Sequence, residues 1–390
     1  MNLKVEASYK SLNKHHEELC GDKVEILETR DSYIMILADG MGSGVKANIL
    51  STLTSKILGT MLLNGATLDQ CVETIVKTLP VCRERQVAYS TFSILQIYRN
   101  GEGYLVEFDN PACIAIRDGK LLEIPFKTRI IAEKEIKESR FLVRLGDTFV
   151  LMSDGVIHAG VGQILNFGWC WENVADYAVK SVYKAPTALR LANTISQACD
   201  DLYMKNPGDD TTVAVAKVME WKLVTIFTGP PASKNDDHKI MELLMESEGK
   251  KVVCGGTSAN IAARYLNREV RTTLEYVDPD IPPIGYIDGI DLVTEGVRTL
   301  SRALTLLKRY EKEDLDEEFF KELDKQNGGS MVAKMLIESS TDVDFLVGKT
   351  INVAHQSPEL PFDISIRMNL IEQMKDVLVK LGRKVTLTYF

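Results

Sequence analysis

Five aspartates stand where folding of this chain would gather them. Asp39 and Asp154 each end an apolar run, SYIMILA (32–38) and TFVLMS (148–153), and each is followed by glycine. Asp209 and Asp210 lead into a third run, TTVAVAKV (211–218), and Asp22 follows Gly21. A single Asp-Gly pair reads as a turn, because glycine takes positive φ and the short carboxylate caps neighbouring backbone. Several such strand ends meeting at one place read differently, since like charges packed closely are strongly unfavourable unless cations lie between them. Oxygen-only ligation suits magnesium or manganese, whereas zinc would call for His or Cys nearby.

The elements that must carry these carboxylates are legible as apolar periods. Ser32 to Ala38 reads as a buried strand. The spacing of Val45, Ile49, Leu53, Ile57 and Met61 predicts an amphipathic helix over 44–63 with that stripe as its apolar face. A second helix is expected over about 67–79. STFSILQIY, GYLVEF and ACIAI read as strands, with Asn100-Gly101 and Asp118-Gly119 as hairpin turns. A helical region is expected over about 171–204, and Thr211 to Val218 is the last strand of this part. From Trp221 the rhythm changes to strands alternating with helices: KLVTIF, a helix near 237–248, KVVC, a helix near 258–266, IDLVT and a helix near 297–312. A helix near 330–339, DVDFLV, a helix near 363–381 and VTLTY complete a doubly wound, mostly parallel pattern. The boundary is placed near 220, giving domains 1–219 and 220–390. The charged stretch Lys308 to Lys325 is expected to be a solvated helix pair or loop.

Taken in order, Gly21-Asp22, ILADGMGSGVKA (36–47), Ser90-Thr91-Phe92, Gly146-Asp147 leading into LMSDG (151–155) and GDDTTVAVAKV (208–218) resemble the metal-dependent protein serine/threonine phosphatases of type 2C. Within them the set is most similar to the branch of stage II sporulation protein E, and it covers about residues 1–219. The resemblance implies an α/β/β/α sandwich, an α+β fold, followed here by the α/β domain. It implies that Asp39 bridges two divalent ions, Mn²⁺ or Mg²⁺, and that the Gly40 carbonyl binds the second. Asp154 and Asp209 then complete the first ion's site and Asp22 stands beside the second, with Asp39 and Asp22 as the catalytic pair. Asp210 is the less favoured ligand of its pair. A metal pair lowers the pKa of a bound water, positions it for in-line attack on a phosphate ester and neutralises charge on the transferring oxygens, so no cysteine nucleophile is needed. Type 2C enzymes outside this branch often carry an arginine near the first acidic motif, and residues 10–22 have none. Lys14, His15, His16 and Lys46 are the cations available in its place.

Other glycine-rich stretches carry less. Gly40-Met41-Gly42-Ser43-Gly44 lacks the Gly-Lys-Ser/Thr of a P-loop and the spacing of a dinucleotide turn. In the second domain Gly255-Gly256-Thr257-Ser258 joins a strand to a helix, as an anion site or simply as a capped βα turn. Thr228-Gly229-Pro230-Pro231 and Glu295-Gly296 end neighbouring strands and would share its crevice, and Asn327-Gly328-Gly329-Ser330 is a similar signal.

Composition bounds the alternatives. The chain has 390 residues, enough for two cores, with 45% apolar and 26% charged residues, which excludes a disordered or collagen-like chain. Its net charge of −9 and lack of a basic patch argue against nucleic acid and against a metal nuclease. No apolar run is long enough for a membrane span, and seven scattered cysteines without a C-x-x-C pair suit a reducing compartment. The expected protein is cytoplasmic, with no membrane association. It dephosphorylates phosphoserine or phosphothreonine on a bacterial regulatory protein, such as an anti-sigma-factor antagonist in sporulation-type signalling. A regulatory or partner-binding second domain and a homodimer complete the reading. The alternative is a catalytically inactive scaffold that keeps the phosphatase fold for binding phosphoproteins.

Overall fold

The computed structural model describes residues 3–78, 90–272, 284–312, 315–350 and 363–390. The chain forms two compact units, Met1–Glu220 and Trp221–Phe390. Cys82 lies outside the described residues, as does Leu79 at the end of the second expected helix.

The first unit begins with β1 (Lys4–Leu12), β2 (Asp22–Glu28), β3 (Ser32–Gly40), α1 (Gly44–Leu63), α2 (Leu68–Thr78), β4 (Ser90–Tyr98) and β5 (Glu102–Phe108). It continues through β6 (Ile114–Arg117), β7 (Lys120–Leu121), β8 (Lys127–Ile131), β9 (Lys134–Leu142) and β10 (Thr148–Met152). One-turn α3 (Asp154–Ile157), α4 (Trp171–Ser181), α5 (Ala188–Leu202) and β11 (Thr211–Met219) complete it. Two antiparallel sheets result, ordered β1-β11-β10-β6-β7 and β2-β3-β4-β5-β9-β8. Asp118 and Gly119 both take positive φ in the β6–β7 turn, as a two-residue hairpin loop requires.

The apolar runs are continuous because both faces of the central strands are covered. Along β3, Ile34, Ile36 and Ala38 pack with Leu50 and Leu58 of α1 and Cys71, Val72 and Ile75 of α2. The alternate residues Met35 and Leu37 pack with Phe149, Leu151, Ala214 and Ala216 of the other sheet. On the far side, Val213, Val215 and Val150 meet Val174 and Ala178 of α4 and Leu191 and Ile195 of α5. The layers are helix, sheet, sheet, helix, an α+β sandwich. The expected helical region 171–204 is two helices, divided ahead of Thr187, which caps α5 by accepting the Arg190 N–H.

Helix α1 turns a different face inward from the one its stripe suggests. Val45, Ile49 and Leu53 are 62%, 52% and 44% exposed, whereas Ala47, Leu50, Thr54 and Leu58 are buried. A period of four drifts about 40° per step around a helix of 3.6 residues per turn, so the five positions cannot share one face; only Ile57 and Met61 reach the core edge. The small residues Ala47, Ser51, Ser55 and Gly59 let α1 lie close to the sheet. A Cβ on Gly40 would stand 2.1 Å from the Ala47 carbonyl oxygen.

The second unit runs β12 (Leu223–Thr228), α6 (Asp236–Glu246), β13 (Lys250–Cys254), α7 (Gly256–Leu266), β14 (Arg271–Thr272), β15 (Gly285–Ile287) and β16 (Ile290–Thr294). It ends with α8 (Val297–Glu311), α9 (Glu317–Leu323), α10 (Gly328–Glu338), β17 (Asp342–Val347), α11 (Asp363–Lys380) and β18 (Lys384–Tyr389). The sheet order is β14-β15-β16-β13-β12-β17-β18, parallel from β16 to β18, with β14 and β15 an antiparallel addition that strand-helix alternation did not signal. Phe227, Val253, Val293 and Leu346 pack beneath α6 and α7. The charged stretch is helical, as the helix-pair expectation allowed, holding the end of α8 and all of α9, but it is not simply solvated: Phe319 and Leu323 are fully buried, and Arg309 lies 5.1 Å over the Phe319 ring and pairs with Glu322 and Asp316. Among the described residues no helix is long and apolar enough to cross a membrane.

Candidate active site

Strand parity delivers the carboxylates to the rim of the space between the two sheets. Asp39 is two residues beyond Leu37 and Asp22 two before Val24, both inter-sheet residues, and Asp22 and Asp39 are direct cross-strand partners. From the other sheet, β10 ends at Met152 with Asp154 opening α3, while Asp209 and Asp210 lead into β11. A cavity of about 210 Å³ opens there, lined by Asp39, Gly40, Asp154, Asp209 and Asp210 together with Asp109.

The backbone is shaped for close approach. A Cβ on Gly155 would stand 2.1 Å from the Asp210 carbonyl oxygen, and one on Gly21 would stand 2.7 Å from Asp210 Oδ2. Asp210 Oδ1 accepts the Lys14 N–H at 3.0 Å and the His15 N–H reaches the Pro207 carbonyl at 2.8 Å, so the loop after β1 is laced to the entry of β11. Lys14 also places its Nζ 3.6 Å from Asp209 Oδ1. Lys46 is exposed, and His15 and His16 are exposed with their ring centroids 3.8 Å apart and the rings tilted by 50°.

Electrostatically the cluster is under strain. Burial, reinforced by Asp22, Asp154, Asp209 and Asp210, holds the Asp39 carboxyl far above the usual carboxylate range. Burial likewise raises Asp22, which is 4% exposed, although the nearby Ser153 and Thr212 hydroxyls moderate the rise. Asp154 is raised by burial and then by Asp209. Neither oxygen of Asp22 accepts a well-formed hydrogen bond, and Asp210 Oδ2 is also buried without a partner. Among the described residues no three acidic, His or Cys side chains already stand in ligating geometry. The Lys14 ammonium offsets part of the charge that Asp209 brings to the cavity. Orphaned buried oxygens in an all-oxygen donor set fit a hard divalent cation.

Sequence reasoning missed one residue of the cavity wall and gave no role to another, in the Ser90-Thr91-Phe92 motif. Asp109 lines it from the end of β5 in a left-handed conformation, φ 54°, and the signal was the Asp-Asn-Pro that follows an apolar strand. Thr91 lines it from β4 and donates to Asn110 Oδ1 at 2.5 Å, tying Asp109's loop to the strand. The glycine-rich loop after Asp39 is held by Glu17, whose carboxylate accepts from Ser43 Oγ at 2.9 Å. Gly255, Gly256, Thr257 and Ser258 belong to the other unit and line a second cavity. Asn327 caps α10, its Oδ1 accepting the Ser330 N–H at 2.9 Å.

Residues 29–219 match the model of the stage II sporulation protein E (SpoIIE) family. No curated protein matches the chain. Among solved structures, the PP2C phosphatase domain with a regulatory-domain fragment of SpoIIE from Bacillus subtilis is 19% identical, over 56% of this chain and 64% of that one, with a TM-score of 0.47. The RsbU and RsbW domains of a Mycobacterium tuberculosis protein are 16% identical over 63% and 69% of the two chains, with a TM-score of 0.47. The catalytic domain of the serine/threonine phosphatase PstP, in complex with two manganese ions, is 17% identical over 56% of this chain and 100% of that one, with a TM-score of 0.40. The chain thus spans less than two thirds of the first of these structures. The segment 29–219, which carries the ordered aspartate motifs on an α+β sandwich, is thus similar to the stage II sporulation protein E family.

Proposed function

We propose that the first unit hydrolyses phosphoserine or phosphothreonine on a bacterial regulatory protein, of the anti-sigma-factor-antagonist kind, at the cavity between Asp39 and Asp209. The observation that carries this reading is the convergence of Asp39, Asp154, Asp209 and Asp210 from three strand ends on one cavity, above a buried Asp22 whose oxygens lack partners. Two divalent ions, Mn²⁺ or Mg²⁺, would be held by Asp39, the Gly40 carbonyl, Asp154, Asp209 and Asp22. When bound, they supply an acidified water and neutralise the phosphate's charge.

The chain's own groups do the rest. Asp39 and Asp22, whose carboxyls burial raises, would have to be deprotonated to hold a cation, so metal binding would release protons. Asp210 keeps the loop after β1 against β11, which holds Lys14 over Asp209. Lys14, whose Nζ lies 3.6 Å from Asp209 Oδ1, would offer its ammonium to the phosphate in place of the arginine that residues 10–22 lack. Asp109, exposed at the rim, sets the width of the mouth.

Purified protein is expected to hydrolyse p-nitrophenyl phosphate and a phosphoserine peptide with added manganese and to stop with chelator. Unchanged turnover in Asp39→Asn would contradict the assignment.

A further inference from the structure

The second unit carries a cavity of about 330 Å³ at the carboxyl edge of its parallel sheet. Its walls are the loops after β12, β13 and β16, closed by Arg367 of α11. Strand order β16-β13-β12-β17-β18 reverses direction at β12, and in open parallel sheets ligands bind outside the carboxyl ends of strands at such a reversal.

Two helices start at this cavity. Gly255 precedes α7 and Gly296 precedes α8, and being glycines neither offers a side-chain cap to the N–H groups that follow. The two turns nearly touch: a Cβ on Gly296 would stand 3.5 Å from the Gly255 Cα. Each helix start presents partial positive charge to the space between them. The Arg298 N–H is already taken by Glu295 Oε2 at 3.1 Å, which leaves α7 the more open of the two.

A second, independent observation lies in the walls. Ser258 and Thr228 are each 1% exposed and line the cavity, and neither hydroxyl has a hydrogen-bond partner. Buried hydroxyls left unpaired are costly, and a ligand with several acceptor oxygens satisfies both. Arg367, 9% exposed, brings a guanidinium fixed by bonds from Nη2 to the Gly348 and Thr350 carbonyls, both at 3.1 Å. Gly229 admits it, since a Cβ there would stand 2.5 Å from Arg367 Cζ. Positive groups thus meet from three directions, while Asn260 and Glu295 supply the wall with an amide and a carboxylate suited to hydroxyl groups.

We propose that this cavity binds a small phosphate ester, its phosphate seated on the start of α7 between Ser258, Thr228 and Arg367 and its hydroxylated remainder toward Asn260 and Glu295. The proposal is independent of the phosphatase reading. A cavity of this size suits a sugar phosphate or a mononucleotide and is small for a dinucleotide.

The test is calorimetric titration of the full chain with inorganic phosphate, glucose 6-phosphate and AMP, with chelator present so that the first unit's carboxylates recruit no metal. Binding is expected, with one ester at least about tenfold tighter than inorganic phosphate. Ser258→Ala, which removes an unpaired hydroxyl, and Gly256→Leu, whose Cβ would meet nothing within 4 Å, are both expected to fold normally and to weaken that ester about tenfold or more. Asp39→Asn is expected to leave this binding unchanged. No binding of any probe to about 10 mM would overturn the proposal, as would binding indifferent to Ser258→Ala and Gly256→Leu. Loss in Asp39→Asn would place the ligand in the first unit, and equal affinity for phosphate and every ester would overturn the ester assignment.

Discussion

Asp39 and Asp22 face each other across β2 and β3 with burial favouring the protonated form of both. A carboxyl raised in the folded state adds stability that is complete below the unfolded carboxylate range, about 4, and is lost as pH rises through the folded value. Metal-free protein should therefore lose thermal stability as pH rises from mildly acidic toward alkaline. Asp39→Asn should flatten that loss, its stabilising effect growing with pH; melting curves across pH check both, and a parallel fall in mutant and parent would contradict the account. Manganese binding should release protons, visible as a dependence of the binding enthalpy on the buffer's ionisation enthalpy. In catalysis the same Asp39→Asn change would remove a proposed metal ligand, and a loss of roughly a hundredfold or more in kcat is expected. Lys14→Ala should raise KM for a phosphopeptide about fivefold while kcat and manganese affinity hold, if the ammonium serves the phosphate as proposed and not the cation. A change confined to metal affinity would instead make Lys14 only a partner of Asp209.

At the scale of the element, close backbone approach does what no side chain could. Gly155 lets the turn into α3 press on the Asp210 carbonyl, and Gly40 lets β3 end against α1. Gly155→Ala forces backbone on backbone, so a destabilisation of about 3 kcal/mol or more is expected by chemical denaturation, with manganese affinity falling alongside. Helix α1 separates position from composition. Leu58→Ala, fully buried, should cost about 2–5 kcal/mol, whereas Ile49→Ser, half exposed, should stay within about 0.5 kcal/mol. Equal effects at the two sites would mean that the stripe of Val45, Ile49 and Leu53 is covered in solution.

At the scale of the whole molecule, each unit encloses its own core: the inter-sheet and helix-sheet clusters of the first involve no residue beyond Val218, and the cluster under α6 and α7 none before Phe227. A chain ending at Glu220 is expected to fold and to retain basal phosphatase activity, because truncation there removes the second core whole and leaves the first intact. Side-by-side assays of full and truncated protein over a range of manganese concentrations check this. Insolubility of the shorter chain would show that the first unit depends on the second.

The order and chemistry of the aspartates, the strands that carry them and the change of rhythm near 220 were all open to reading in the chain, because strand ends, turn residues and apolar periods are local properties. Which faces the strands show followed from parity once Leu37 and Val24 were known to look between the sheets. The inward face of α1 was not readable, because small residues that permit close packing carry no apolar signal of their own. Asp109 joined the cavity through a loop geometry set by Thr91 and Asn110, and Lys14 met Asp209 across nearly 200 positions of sequence. Arg367 is the extreme case. Nothing near it in sequence marks a site, and only the return of α11 to the carboxyl edge of the sheet brings its charge to the glycines after β12 and β13. Contacts between distant segments are made by the packing of whole elements, and that packing is a property of the tertiary structure alone.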